Sequence, residues 1–126
     1  MIGYRLSGPA KADIVKILAW SERQLGELAR VRYAALITAA LRGICGQPDR
    51  PGSILRPELG EGVRSWHLSL NRERARTATG IARRPRHFLI YRMDGELVVV
   101  GRVLHDAMES AHQLDDRPDA CHADPD

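Results

Sequence analysis

The stretch HFLIYRMDGELVVVGRVLH, residues 87–105, decides the fold. It holds two apolar runs, 87–93 and 96–104, separated by Asp94-Gly95. An Asp-Gly pair between two apolar runs is the strongest short-range signal for a β-hairpin. The sequence therefore predicts two neighbouring antiparallel strands here.

A two-residue turn at Asp94-Gly95 also fixes how these strands pair, because every partner follows from the turn. The predicted pairs are Met93 with Glu96, Tyr91 with Val98, Leu89 with Val100 and Phe88 with Gly101. In this register the Phe88 ring covers a strand glycine.

More strands are predicted upstream of the hairpin. Residues 63–70 alternate in polarity, with Trp66, Leu68 and Leu70 on one face, as in a half-buried strand. Residues 46–62 contain seven Gly and Pro residues, which predicts a loop with a brief strand at 53–56. Residues 4–7 are predicted to form a first short strand.

Two amphipathic helices are predicted between the first strand and this loop. Ser7 or Gly8 can cap the first helix, Pro9 fits its first turn, and Gly26 ends it. The second helix runs from Glu27 to about residue 45. Its inward positions include Leu28, Val31, Ala34, Leu41 and Ile44. Such a helical hairpin needs a sheet beneath it to bury its apolar stripes.

Length and composition limit the class of protein. The 126 residues are 44% apolar and 28% charged, which is typical of one soluble globular domain. No apolar run reaches the roughly 20 residues that span a bilayer, and the first residues do not follow a signal-peptide pattern. Cys45 and Cys121 have neither disulfide-framework nor metal-ligand spacing. We therefore expect a cytoplasmic protein with no membrane contact, metal or cofactor.

Together these elements predict an α+β fold. It consists of an N-terminal strand, an antiparallel helical hairpin packed on a small twisted antiparallel sheet, and a short C-terminal helix at residues 106–114. The domain is predicted to span residues 1–114. Residues 115–126, here called the acidic tail, hold five Asp and one Arg and are predicted to be disordered.

Charge is distributed unevenly along the chain. The acidic tail carries −4, so residues 1–114 carry +7 within the total of +3. Residues 64–92 contain eight arginines and one acidic residue, Glu73, and the whole chain has seventeen arginines and two lysines. Because arginine binds carboxylates and phosphates through a planar fork, we expect a nucleic acid or an acidic protein surface as partner.

Several motifs resemble the ParE branch of the RelE/ParE toxin superfamily. They are Tyr4-Arg5-Leu6-Ser7 followed by Ala10, Ala12, Asp13 and Ile14, then Ala29 and Tyr33, GVR at 62–64, PRHFLIYR at 85–92, and GRVLHDAME at 101–109. The likeness covers residues 4–112. Residues 71–85 depart from the family pattern as a polar, arginine-rich insertion, either a long loop or an extension of both flanking strands.

The resemblance implies the toxin of a type II toxin-antitoxin pair, serving plasmid stabilization or growth inhibition. Its implied partners are a ParD-like antitoxin and DNA gyrase as the inhibited target, with a toxin dimer inside a hetero-oligomer left open. The antitoxin is expected on Trp20, Leu25, Leu28 and Tyr33. The target is expected on Arg72, Arg74, Arg76, Arg83, Arg84, Arg86, Arg102 and His105.

Two alternative functions remain. The RelE branch cleaves messenger RNA at the ribosome, which needs a base, a proton donor and cations in one cleft. The candidates here are Arg64, Arg86 and His105, although Phe88 stands where such enzymes place a phosphate-binding arginine, so no catalytic residue is expected. An inactive or nucleic-acid-binding relative is the other alternative.

His105 fits two roles, a proton carrier or an imidazole bonded to backbone, whereas His67 and His87 are interpreted as sheet-surface residues.

Overall fold

The computed structural model describes residues 3–107. In chain order, the strands and helices are β1 (Gly3–Leu6), α1 (Gly8–Leu25), α2 (Glu27–Gly46), β2 (Ile54–Leu55), β3 (Arg64–His67), β4 (His87–Asp94) and β5 (Leu97–His105). Short 3₁₀ segments occupy Pro57–Leu59 and Leu68–Ala75. The predicted α+β class and helical hairpin are confirmed. Of the predicted C-terminal helix, Asp106 and Ala107 are described as helical, and the rest lies outside the described residues, as does the acidic tail.

The five strands form one sheet in the order β1-β5-β4-β3-β2. Neighbours pair antiparallel except at one edge, where β1 runs parallel to β5 with Tyr4 opposite Val98. The predicted antiparallel sheet is confirmed for β2 to β5, and the N-terminal strand joins its edge in the parallel direction. Only a tight hairpin turn requires antiparallel neighbours, and almost the whole chain lies between β1 and β5.

The predicted register of the β4-β5 hairpin is wrong. Met93 lies opposite Val98 and Asp94 opposite Leu97, so the turn residues are Gly95 and Glu96. Gly95 has φ +65°, which suits glycine at the first central position of a type II′ turn. Gly101 is the extra residue of a β-bulge, and Phe88 therefore pairs with Leu104 instead of Gly101.

Strand β3 is shorter than the predicted 63–70. It ends at His67, whose Nδ1 accepts a hydrogen bond from the Ser69 amide at 3.1 Å and caps the following 3₁₀ turn. Such local side-chain bonds compete with a strand ladder. Leu70 consequently leaves the predicted inner face and is 51% exposed.

The helical hairpin packs on one face of the sheet. Ser7 caps α1 by accepting from the Ala10 amide at 3.1 Å, and Gly26 ends the helix as predicted. The core joins α2 to the central strands, and its largest fully buried side chains include Leu36, Ile44, Leu89, Tyr91, Val98 and Val100.

The first half of α2 does not point inward as predicted. Leu28 and Val31 are 54% and 40% exposed. The tip of the helical hairpin, where α1 ends and α2 begins, therefore keeps apolar side chains exposed, among them Leu25 at 68%.

Candidate functional site

An open groove of about 1150 Å³ lies between the hairpin tip and the segment that leads into β4. We call it the basic groove. It is lined by Lys16, Ile17, Trp20, Ser21, Arg23, Leu25, Ala29, Arg32, Tyr33, Ala82, Arg83, Arg84, Arg86, His87 and His105. Six of these side chains are Lys or Arg, and no described residue in the lining is Asp or Glu, so the groove favours an anionic occupant.

One face of α1 and one face of α2 together form one wall of the basic groove. Lys16, Trp20 and Arg23 are spaced four and three residues apart on α1, so they share a helix face. On α2, Ala29 and Tyr33 share a face in the same way. Trp20 is 52% exposed, which leaves a large aromatic surface open at the rim.

The opposite wall is the end of the 71–85 insertion, which begins in the 3₁₀ segment Leu68–Ala75, continues as a loop and does not extend the flanking strands. Two arginines anchor it. Arg32 on α2 donates from Nε to Thr79 Oγ1 at 3.1 Å and from Nη2 to the Thr79 carbonyl at 2.6 Å. Arg72 donates from Nε to the Ala82 carbonyl at 2.7 Å. These bonds hold the loop against α2 and bring Arg83 to the groove.

Arg84 has an uncommon backbone conformation. Its φ is +49°, the one positive value among the described non-glycine residues, and Pro85 follows it. A left-handed conformation at a residue with a Cβ costs of order 1 kcal/mol or more. The surrounding structure holds this strain at a position where the guanidinium lines the groove.

A hydrogen-bonded pair of Tyr33 and His87 forms the floor. Tyr33 Oη lies 2.7 Å from His87 Nδ1 and accepts from the Arg86 backbone N–H at 3.1 Å. Burial, together with the smaller effect of neighbouring His105, lowers the pKa of His87 from 6.5 to about 4. Burial raises the pKa of Tyr33 to about 12. At neutral pH the phenol therefore donates to an uncharged imidazole.

His105 lies beside His87, with the two rings 5.1 Å apart and edge to face. Its Nδ1 accepts a hydrogen bond from the Ala107 amide at 3.0 Å, as expected for the backbone-bonded alternative. Asp106 accepts from Arg86 Nε at 3.2 Å and lies 3.3 Å from His67 Nε2. Burial raises the pKa of Asp106, but these two hydrogen bonds outweigh it, and the pKa lies below its usual value.

The structure brings residues of two predicted surfaces into one groove. Trp20, Leu25 and Tyr33, expected to contact an antitoxin, face the residues Arg83, Arg84, Arg86 and His105, expected to contact a target. Leu28 is exposed at the tip but does not line the groove.

Other predicted target residues lie elsewhere. Arg102 donates to Asp13 from Nε at 2.7 Å and from Nη2 at 3.0 Å, and this pair fastens α1 to β5. Arg74 and Arg76 are exposed on the insertion outside the groove lining, with Arg76 bonded to Glu73 at 3.3 Å.

The structure separates the three residues proposed for RNA cleavage. Arg64 pairs across the sheet with Tyr91, whereas His105 pairs with His87. Positions 87 and 91 are four residues apart along β4, about 13 Å. Arg64 donates to Ser53 at 2.8 Å on that distant side, so only Arg86 and His105 share a cleft.

Four groove residues with ionisable side chains are not among the predicted site residues, namely Lys16, Arg23, Arg32 and His87. The helical spacing of Lys16 and Arg23 around Trp20 would have revealed the first two. Arg32 and His87 carry no such signal, because their place depends on how the 71–85 loop and β4 fold against α2.

Within residues 3–107, no helix is long and apolar enough to cross a bilayer, and no three His, Cys, Asp or Glu side chains form a group that could hold a metal ion.

Comparison with known proteins identifies the family. The family model for the ParE toxin of the type II toxin-antitoxin system parDE matches residues 4–110. A solved structure titled "Chromosomal ParDE TA system from P. aeruginosa" is similar, with a TM-score of 0.60 and 15% identity over 83% of this chain and 96% of that one. No curated protein sequence matches the chain. Because the family match covers most of its length, the chain belongs to the ParE toxin family of type II toxin-antitoxin systems.

Proposed function

We propose that this toxin acts by binding, not by breaking bonds, and that it inhibits DNA gyrase in the cytoplasm. A ParD-like antitoxin neutralises it by occupying the basic groove. The observation that carries the proposal is that exposed apolar side chains of the hairpin tip and a cluster of arginines share one groove. A single partner laid along this groove covers both.

The hairpin tip supplies the apolar part of the antitoxin contact. Trp20, Leu25 and Leu28 are 52%, 68% and 54% exposed. Contiguous exposed apolar surface on a soluble domain marks an interaction site. An amphipathic antitoxin segment, with apolar residues toward the tip and acidic residues toward the arginines, fits this surface.

The arginines at the end of the 71–85 insertion supply the target contact. Arg83 and Arg84 are exposed and, among residues 3–107, have no carboxylate partner. Unpaired arginines on a concave surface speed and orient the binding of an acidic protein. An antitoxin in the groove covers them, which explains neutralisation by exclusion.

Co-purification with the ParD-like antitoxin tests the antitoxin contact. Trp20→Glu places a charge in the groove and is expected to abolish co-purification, whereas Val15→Glu, at an α1 residue 67% exposed outside the groove, is the matched control. Thermal unfolding of both variants checks their folds. Equal retention of the antitoxin by both variants would place the contact elsewhere. The mass of the wild-type complex also shows whether two toxins assemble within it.

A gyrase supercoiling and DNA-cleavage assay tests the target. Arg83→Gln combined with Arg84→Gln is expected to weaken inhibition at least tenfold. Arg42→Gln combined with Arg92→Gln removes the same charge from exposed positions outside the groove and is expected to change little. Wild-type toxin without effect on gyrase would refute the target.

RNA cleavage is the second candidate, favoured by the chain of Tyr33, His87 and His105 beside Arg86. Purified toxin with translating ribosomes tests it. Cut messages that disappear in His105→Ala would establish it, and intact messages would exclude it. A steep salt dependence of binding to plain duplex DNA would instead favour a nucleic-acid-binding relative.

A further inference from the structure

We propose that the acidic tail, residues 115–126, binds in the basic groove of its own molecule and competes with other anionic ligands there. The family match ends at residue 110, so the tail lies outside the part shared with the family. The contact itself does not depend on the identity of the antitoxin or the target.

Charge complementarity is the first argument. The groove presents six cationic side chains, and no described residue of its lining is acidic. Among residues 3–107, Arg23, Arg83 and Arg84 lack a carboxylate partner. The tail supplies five Asp against one Arg. Arginine binds carboxylates through charge-assisted bidentate hydrogen bonds, so an Asp-rich segment matches this surface.

The point where the described chain ends is the second argument. His105 lines the groove, Asp106 binds Arg86 of the groove wall, and Ala107 follows directly. The chain therefore leaves the described structure at the rim of the groove. The 12 tail residues 115–126 alone can span about 40 Å when extended, far more than the radius of gyration of a domain of this size, about 13 Å. Reach does not limit the contact.

Tethering makes a weak contact effective. A segment held by a short flexible linker experiences an effective concentration of order 1 mM at its site. A tail with an intrinsic Kd of about 0.1 mM would then occupy the groove about nine-tenths of the time. A competing anionic ligand would bind about tenfold more weakly.

Cys121 allows a direct test in the full chain. Cys45 is buried and its pKa is raised by burial, so a thiol-reactive nitroxide is expected to label Cys121 selectively. The nitroxide broadens the NMR signals of nearby nuclei. We expect broadening of the Trp20 indole signal at 0.01 M salt and its loss at 1 M salt, where the Debye length falls from about 30 to about 3 Å.

Charge reversal provides the matched control. Arg83→Glu combined with Arg84→Glu is expected to abolish the broadening, whereas Arg42→Glu combined with Arg92→Glu is expected to keep it. Absence of broadening at low salt, or equal broadening in both variants, would overturn the proposal. Broadening of ¹⁵N-labelled toxin by a separate nitroxide-labelled, ¹⁵N-free copy would assign the groove to a second molecule and also overturn it.

Competition is a second measurement. A full-length variant with the five tail Asp residues changed to Asn is expected to bind a fluorescein-labelled 12-residue polyglutamate peptide about tenfold more tightly than wild type at low salt. Unchanged affinity would contradict the proposal. Because neither antitoxin nor gyrase is present, failure here is distinguishable from failure of the proposed function.

Discussion

Replacing His87 by Asn is expected to make the protein less sensitive to acid. The pKa of His87 is about 4 in the folded protein and 6.5 ordinarily. As the pH falls below 6.5, the unfolded chain takes up this proton while the folded protein does not, so the folded state loses stability until the pH reaches about 4.

The size of this effect follows from the two pKa values. At 1.36 kcal/mol per pKa unit, the change from 6.5 to about 4 corresponds to about 3 kcal/mol. Because the ring is only half-buried and solvent screens part of the charge, we expect about 2 kcal/mol between pH 7 and pH 4.

Urea unfolding at pH 7 and pH 4 measures the effect. Asn suits the test because its side-chain oxygen can accept the hydrogen bond that Tyr33 donates to His87 Nδ1, while Asn does not titrate. Carboxylates contribute to acid sensitivity in both wild type and His87→Asn. The difference between the two losses of unfolding free energy from pH 7 to pH 4 therefore isolates the contribution of His87. Equal losses in wild type and His87→Asn would refute the reasoning.

Three further variants test other contacts by urea unfolding at pH 7. Tyr33→Phe removes the hydroxyl that joins the Arg86 amide to His87 and is expected to cost about 1–3 kcal/mol; an unchanged free energy of unfolding would mean that water replaces it. Arg84→Gly relieves the left-handed backbone and is expected to stabilise by about 0.5–1 kcal/mol; a loss would show that the side chain contributes more than the strain costs. Asp13→Asn leaves the Arg102 charge uncompensated and is expected to cost about 2 kcal/mol; a loss below 0.5 kcal/mol would assign the pair no structural role.

Local signals predicted the helices well. Ser7 and Gly26 act through bonds and backbone angles within a few residues, so their effect is visible in the sequence. The hairpin register is harder. Between the turn and the bulge, the predicted and observed registers differ by two residues, and a shift of two keeps each side chain on the same face. Polarity alternation therefore cannot distinguish them.

The bulge at Gly101 is a second feature that alternation hides. Val98 and Val100 face the core, and the extra residue then shifts the pattern so that Val103 continues the same face. The sequence reads as a continuous apolar run there. The position of a bulge depends on how β5 pairs with β4, and the spacing of residues within β5 alone does not reveal it.

The candidate site likewise combines features visible in the sequence with a feature that depends on the fold. The apolar tip and the arginine-rich insertion are both visible in the sequence as separate segments. Their meeting depends on contacts between distant residues, such as Arg32 with Thr79. His87 was interpreted as a sheet-surface residue, whereas in the structure it is half-buried on the groove floor against Tyr33.

The protonation states on the groove floor favour binding over catalysis. RNA cleavage by attack of a 2′-hydroxyl needs one group that accepts a proton and another that donates one. A phenol with a pKa of about 12 stays protonated at neutral pH, and its proton is engaged with His87. An imidazole with a pKa of about 4 is uncharged and too weak a base for efficient proton abstraction.

His105 is then the one imidazole of the groove that is not tied to Tyr33, and its Nδ1 is occupied by a backbone amide. Phe88 stands where the resemblance implies a phosphate-binding arginine. Its ring is buried, and its centre lies 5.9 Å from the Arg56 guanidinium. Phe88 therefore adds no charge to the groove. The groove thus combines a strong attraction for anions with a floor poorly suited to proton transfer. This combination supports a toxin that acts by occupying its target.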